Sequence, residues 1–311
     1  MEKLLYLLAR GVIALLQSLP LPTVARLGRV GGTLAYVLDG RHRHVAVRNL
    51  TMCFSEKSAE GINALARENF RRLGENYCCA VKTAAMTPEA LQARLEFVDA
   101  GKTLAQLNGQ GPYSCIVAIG HFGNFELYAH MGKYFPGCQF ATTYRALRQP
   151  SLDRLLTSLR ERSGCLFFER RMDGAALRAA VGKNNLVLGL LSDQSAGKRG
   201  ARLPFLGHEC STSTAPAIFA LRYRLPLHAG ICFRIGLARW RLEFGQEIPT
   251  RENGQARSVE AIMADVNRAF ENAVRRDPAN WFWVHNRWKT EKPSVTSTMT
   301  ETTGETELLS K

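Results

Sequence analysis

Chemistry in this chain concentrates in the block Ile116-Val117-Ala118-Ile119-Gly120-His121-Phe122-Gly123-Asn124-Phe125-Glu126. The apolar run predicts a buried strand, and Gly120 and Gly123 flank a histidine in the turn that follows. A histidine at the carboxyl end of a strand stands where open α/β sheets place their ligands. There Nε2 can remove a proton if a carboxylate accepts the Nδ1 proton, fixes the tautomer and stabilises the imidazolium. Glu126, in the first turn of the predicted next helix, is the carboxylate of the block. On one continuous helix the five-residue spacing turns through about 500°, which puts the two side chains on different faces, so the pair depends on the loop. The competing reading is structural: a hydrogen-bonded histidine that closes a strand, beside a glutamate that caps a helix.

Asp193-Gln194 ends a second apolar strand, on the same predicted sheet edge as His121, or else forms an Asx turn. Arg145 follows a strand and could hold a phosphate or polarise a carbonyl, or pair with a surface carboxylate. Lys198, Arg199 and Arg202 make a basic loop suited to sugar phosphates or an acidic protein, with a solvated charge run as the alternative. Trp281, Trp283 and Trp288 with Arg287 and Lys289 mark a membrane interface, line a site, or belong to the core. A metal site would recruit His121, Glu126 and His130, but the spacing is unlike H-E-x-x-H, so no metal is expected.

The elements that must position these residues alternate. Strands are predicted at 95–98, 114–120, 139–143, 166–168, 186–191, 226–233 and 240–244. Between or after them come helices at 124–134, 151–163, 174–182, 214–223 and 259–277. That order predicts an α/β fold, a single domain with a central mixed sheet flanked by helices. Ahead of it lies an N-terminal helical layer, with helices at 4–19, 24–38 and 59–79. In the last of these Ile62, Leu65, Ala66, Phe70, Leu73 and Tyr77 recur at spacings of three and four, as one buried face requires. No repeat and no linker divides the chain before residue 290.

The 46 % hydrophobic content excludes a disordered or fibrous chain, and the net charge of +14 calls for an acidic partner. Nucleic acid is not expected, because zinc-finger spacing, ribonucleoprotein aromatics and long Lys/Arg blocks are all missing. Eight cysteines without repeating spacing, in apolar company, read as reduced core thiols facing a reducing compartment. The stretch 4–19 is apolar except for Arg10 and Gln17 and lacks a signal-peptide cleavage site. It falls short of the roughly 20 residues that cross a bilayer comfortably, so an interfacial or re-entrant helix fits at least as well as a span. Nearby arginines suit an anionic membrane; an ordinary buried helix is the alternative.

The chain resembles the lysophospholipid acyltransferase superfamily, and within it the lipid A biosynthesis acyltransferases, the lauroyl and myristoyl transferases of Gram-negative inner membranes. Six ordered blocks carry the resemblance over nearly the whole chain: Arg43 to Phe54, His121 to Glu126, Thr143-Tyr144-Arg145, Val187 to Gln194, Leu203-Pro204-Phe205-Leu206-Gly207, and Trp281 to Lys289. It implies that His121 is the catalytic histidine and Glu126 its acidic partner. It also implies transfer of a fatty acyl group from acyl carrier protein, or a CoA thioester, to a hydroxyl of a lipid A precursor on the cytoplasmic face of the inner membrane. Residues 1–22 are then the membrane anchor or interfacial helix, 23–290 the acyltransferase domain and 291–311 a disordered tail.

Such chemistry needs no cofactor, since an acyl thioester already carries a good leaving group. A base for the acceptor hydroxyl and donors for the oxyanion suffice. No G-x-S-x-G elbow is present, and Gly123 and Asn124 offer backbone N–H groups as oxyanion donors. Arg145, Asp193, Gln194, Arg199 and Arg202 are the further substrate-binding candidates. Ser55, where the family usually has Pro, and Arg145-Ala146-Leu147-Arg148-Gln149-Pro150 depart from the pattern. An acyl-CoA-dependent lysolipid acyltransferase is the nearest rival, although the Phe-Pro-Glu-Gly block of glycerol-phosphate acyltransferases is missing. A basic membrane or nucleic-acid binder without catalysis is the remote one.

Overall fold

The structure is a computed structural model that describes residues 2–99, 105, 107, 109, 113–183 and 185–289. Strand β2 (Cys115–Ile119) is buried along its whole length, because helices cover both faces of its sheet. Its side chains alternate between two apolar layers. Ile116 and Ala118 join one core, while Cys115, Val117 and Ile119 join the other. The expected central mixed sheet is present with seven strands. The other six are β1 (Leu95–Asp99), β3 (Gln139–Tyr144), β4 (Leu166–Glu169), β5 (Leu186–Leu191), β8 (Leu227–Gly236) and β9 (Arg239–Glu247). Their spatial order is β1-β9-β8-β2-β5-β3-β4. Strands β8, β2, β5, β3 and β4 run parallel. Only the β8–β9 pairing is antiparallel, and β1 runs parallel to β9. All five parallel strands therefore deliver their carboxyl ends, and the loops after β2, β3 and β5, to one edge.

The N-terminal layer comprises α1 (Glu2–Ser18), α2 (Leu21–Leu38), α3 (Gly40–Cys53) and α4 (Ala59–Thr83). Helices α2 and α4 pack backbone to backbone: a Cβ on Gly28 would lie 2.5 Å from the Gly74 carbonyl oxygen, and one on Gly32 would overlap Phe70. Only glycine permits that approach. Glu75 of α4 is fully buried, yet Arg29 on α2 and Arg234 on β8 reach it at 3.3 and 2.9 Å, so the carboxylate is paired from both sides. Among the described residues no helix is long and apolar enough to cross a membrane.

Helix α3 is absent from the expected elements because its sequence, Gly-Arg-His-Arg-His, has no apolar stripe; it buries only Ala46, Asn49 and Leu50. Asp39 starts it by accepting the His42 backbone N–H. A hairpin of β6 (Ala201–Phe205) and β7 (His208–Thr212) is likewise unforeseen in the stretch after β5. The segment expected as a helix at 124–134 is a 3₁₀ helix over Phe125–Lys133. Its buried residues Leu127, Tyr128, His130 and Met131 stack as two i,i+3 pairs, the spacing that a three-residue turn brings into line. Further α-helices among the described residues are α5 (Pro88–Gln92), α6 (Pro150–Glu161), α7 (Gly174–Val181), α8 (Ala215–Tyr223) and α9 (Val259–Arg276). The tail expected at 291–311 lies outside the described residues.

Candidate active site

His121 follows β2 directly, and Asp193 follows β5, the parallel neighbour of β2. Adjacent parallel strands bring their carboxyl ends side by side, so residues distant in sequence meet. The His121 Nδ1 lies 2.7 Å from Asp193 Oδ1, and the His121 backbone N–H donates to Oδ2 at 2.8 Å. The carboxylate on Nδ1 is thus Asp193, not Glu126 as the local block suggested. The reason is geometric: Glu126 lies in the first turn of the 3₁₀ segment, where Arg160 takes its carboxylate, whereas strand pairing delivers Asp193 to the ring. The Glu126 carboxylate is instead gripped by Arg160 of α6, at 2.6 Å from Nη2 and 3.3 Å from Nε.

Asp193 is fully buried, yet its charge is well supported. The Trp281 indole N–H donates to Oδ2 at 2.8 Å, and Arg287, also fully buried, donates to the Asp193 carbonyl oxygen and to Asn267. Burial pushes the carboxyl up, but the charge and hydrogen bonds of His121, with the Arg287 guanidinium behind them, outweigh that penalty and hold it at about 2. An anion is therefore fixed beside Nδ1 throughout the neutral range. The imidazole side chain is 15 % exposed, against none for Asp193, so a substrate reaches only the outer side of the pair. The side-chain amide of Gln194 lies 3.3 Å from Nε2. Phe125 and Phe282 pack on the ring with centroids 4.7 and 5.7 Å away, an apolar collar that fixes its plane.

Gly123 adopts φ +51°, and a Cβ there would lie 2.6 Å from the Cys232 carbonyl oxygen, so this turn requires glycine. Its N–H donates to the Asn280 carbonyl oxygen at 3.0 Å. That bond takes it out of use as an oxyanion donor, contrary to expectation. The Asn124 side chain is buried, and neither its Nδ2 nor its Oδ1 has a hydrogen-bond partner. Both atoms are buried as well as unpartnered, so the amide does not face the opening at His121.

Of the outlying candidates, Arg145 lies just beyond β3 and Arg199 in the turn after β5, both exposed at the same sheet edge. Arg202 is drawn into an ion pair with Glu209 at 2.6 Å across the β6–β7 hairpin. Trp281 and Trp283 are core residues, 1 % and 0 % exposed, which removes the membrane-interface reading for them. All eight cysteines are free thiols. Burial raises the Cys115 and Cys232 thiols and holds Cys53 and Cys165 at about 12, so none of these four supplies a thiolate at neutral pH. Sequence reasoning missed Arg160 as the partner of Glu126, and Trp281 and Arg287 as supports of Asp193. Trp281 and Arg287 were signalled only by membership of a block shared with the family, and Arg160 by nothing in the sequence.

A buried carboxylate beside an oriented imidazole that is open on one side makes an arrangement able to accept a proton at Nε2. The pattern of the bacterial lipid A biosynthesis acyltransferases matches residues 2–290, and the chain belongs to that family. It is accordingly an acyltransferase. Among its relatives, the lipid A biosynthesis palmitoleoyltransferase of Escherichia coli (strain K12) is 27 % identical over 300 residues, covering 90 % of this chain and 89 % of the relative. The lipid A biosynthesis lauroyltransferase of the same organism is 26 % identical over 293 residues, covering 92 % of each chain.

Proposed function

We propose that the protein transfers a fatty acyl group from acyl carrier protein to a hydroxyl of a lipid A precursor, with His121 as general base and Asp193 as the group that orients it. The observation that carries this reading is the 2.7 Å contact between Nδ1 and a carboxylate held at about 2. Nε2 takes the hydroxyl proton as the oxygen attacks the thioester carbonyl. The tetrahedral adduct collapses by breaking the C–S bond. His121 then returns the proton to the departing thiolate. The acyl group passes directly to the acceptor, in keeping with the raised thiol pKa of buried Cys232 behind Asn124. Glu126, fixed by Arg160 next to Phe125, hydrogen-bonds the acceptor and completes the block.

Arg145 and Arg199, exposed beside the site in a chain of net charge +14, suit an acidic donor protein. Helices α1 and α2 present Leu4, Leu7, Leu8, Val12 and Leu15, and Leu27, Val30, Leu34 and Val37, to the exterior. This apolar surface, with Arg10 on α1, fits an interfacial attachment to the cytoplasmic face of the inner membrane. The test is incubation of purified protein with acyl carrier protein and CoA thioesters plus a lipid A precursor, followed by mass spectrometry. A precursor heavier by one acyl chain, from the carrier protein donor, is expected. Product from CoA alone would reassign the donor, and acylation only of glycerolipids would reject the acceptor.

A further inference from the structure

After α9 the chain from Asp277 to Trp288 is mostly irregular, yet it is among the most firmly held segments of the protein. Asn69 of α4 donates through Nδ2 to the carbonyl oxygens of Ala279 and Trp281, at 2.9 and 2.6 Å. Asn49 of α3 donates to those of Trp283 and His285, at 3.0 and 2.9 Å. Both asparagines are wholly buried. Each spends its two amide hydrogens on carbonyls that no strand or helix ladder satisfies, a task for a neutral double donor. The strap so held carries Trp281, whose indole N–H reaches Asp193 Oδ2, and Phe282, which packs on the His121 ring. Trp281 is itself wedged among Trp283, Phe205 and Trp288, with ring centroids 4.7, 5.3 and 6.0 Å away, so the indole cannot swing.

We infer that Trp281, seated by Asn49 and Asn69, is a positioning residue for acyl transfer, its N–H holding Asp193 Oδ2 so that Oδ1 is presented to the His121 ring. Without that donor Oδ2 keeps only the His121 backbone N–H, and the carboxylate can rotate about its terminal bond, letting the imidazole lose its orientation. Asn49 and Trp281 belong to the first and last of the shared sequence blocks. The strap joins those blocks to the catalytic one. This inference rests on His121 being the base.

The test replaces Trp281 by 3-benzothienylalanine in the full-length protein, which preserves the bicyclic shape and exchanges the N–H for sulfur; Asn49→Ala is the second variant. Acyl transfer is followed as kcat and KM, and the downfield Nδ1–H proton of His121 is observed by NMR in the ligand-free protein. Both variants are expected to lose about tenfold or more in kcat with KM unchanged, and the benzothienyl protein to shift or broaden the Nδ1–H resonance. Wild-type kcat and resonance in that protein would overturn the proposal. So would a fall in kcat that follows thermal stability while the resonance stays in place. Full turnover by His121→Ala would instead overturn the base assignment, leaving the resonance to report on Trp281 independently.

Discussion

Asp193 Oδ1 and His121 Nδ1 lie 2.7 Å apart at the ends of two adjacent parallel strands, one side chain fully buried and the other opening outward. Every other feature of the site supports or surrounds that contact. If Asp193 holds the tautomer and balances the imidazolium, Asp193→Asn places an uncharged amide beside Nδ1 and should cost about 10³–10⁴ in turnover. Steady-state kinetics with circular dichroism as a fold control checks this. A folded variant within tenfold of wild type would show that the contact is structural.

Glu126 and Arg160 form a two-point ion pair whose side chains are 27 % and 20 % exposed. If Glu126 contacts the acceptor, Glu126→Gln should lower turnover by about two orders of magnitude. Arg160→Ala should also act, by releasing the carboxylate, chiefly as a rise in KM for the acceptor. Measuring both variants against varied acceptor separates the roles, and an unchanged Glu126→Gln enzyme would confine the pair to holding α6.

The exposed apolar surface of α2 makes a separate prediction. Val30 and Leu34 on α2 are 59 % and 55 % exposed, so Val30→Glu and Leu34→Glu leave the core untouched. If these residues enter the acyl boundary, each exchange removes about 1.5–3 kcal/mol of burial and weakens vesicle binding about tenfold or more. Co-sedimentation with phosphatidylglycerol vesicles reads the effect. Unchanged sedimentation of the double variant would exclude α2 from the contact.

How much of this could be read beforehand depended on the range of the interaction. Strands such as Leu186–Leu191 announce themselves by an unbroken apolar run, and α4 by Ile62, Ala66 and Phe70. Tyr77, expected on the same buried face, is 54 % exposed, because the helix buries Glu75, Asn76 and Cys79 there instead. His121 was legible because two glycines and a strand frame it locally. Its partner was not, because the nearest carboxylate in sequence is Glu126, while strand pairing delivers Asp193. Helix α3 escaped because its buried residues are few and one of them, Asn49, is polar. The tryptophans of 281–288 have the composition of a membrane belt, and only the buried asparagines and Arg287 that hold the segment identify it as core.

Acid stability supplies a test away from catalysis. His130 is 4 % exposed and its Nδ1 has no hydrogen-bond partner; burial, with Lys133 nearby, lowers its pKa to about 4. The unfolded chain binds that proton near pH 6.5, so stability is full above about 6.5 and is lost as pH falls towards 4. The loss is on the order of 3 kcal/mol. Urea unfolding between pH 4 and 7 should show this slope in wild type and a shallower one in His130→Leu. Equal slopes would mean that His130 is charged in the fold.

The most direct measurement of the central claim is the turnover of purified His121→Gln with acyl carrier protein donor and lipid A precursor, the product quantified by mass spectrometry. Loss of the base predicts a fall of about 10²–10⁴ with the fold and KM for the donor retained. A folded His121→Gln protein that acylates the precursor at the wild-type rate would contradict the account.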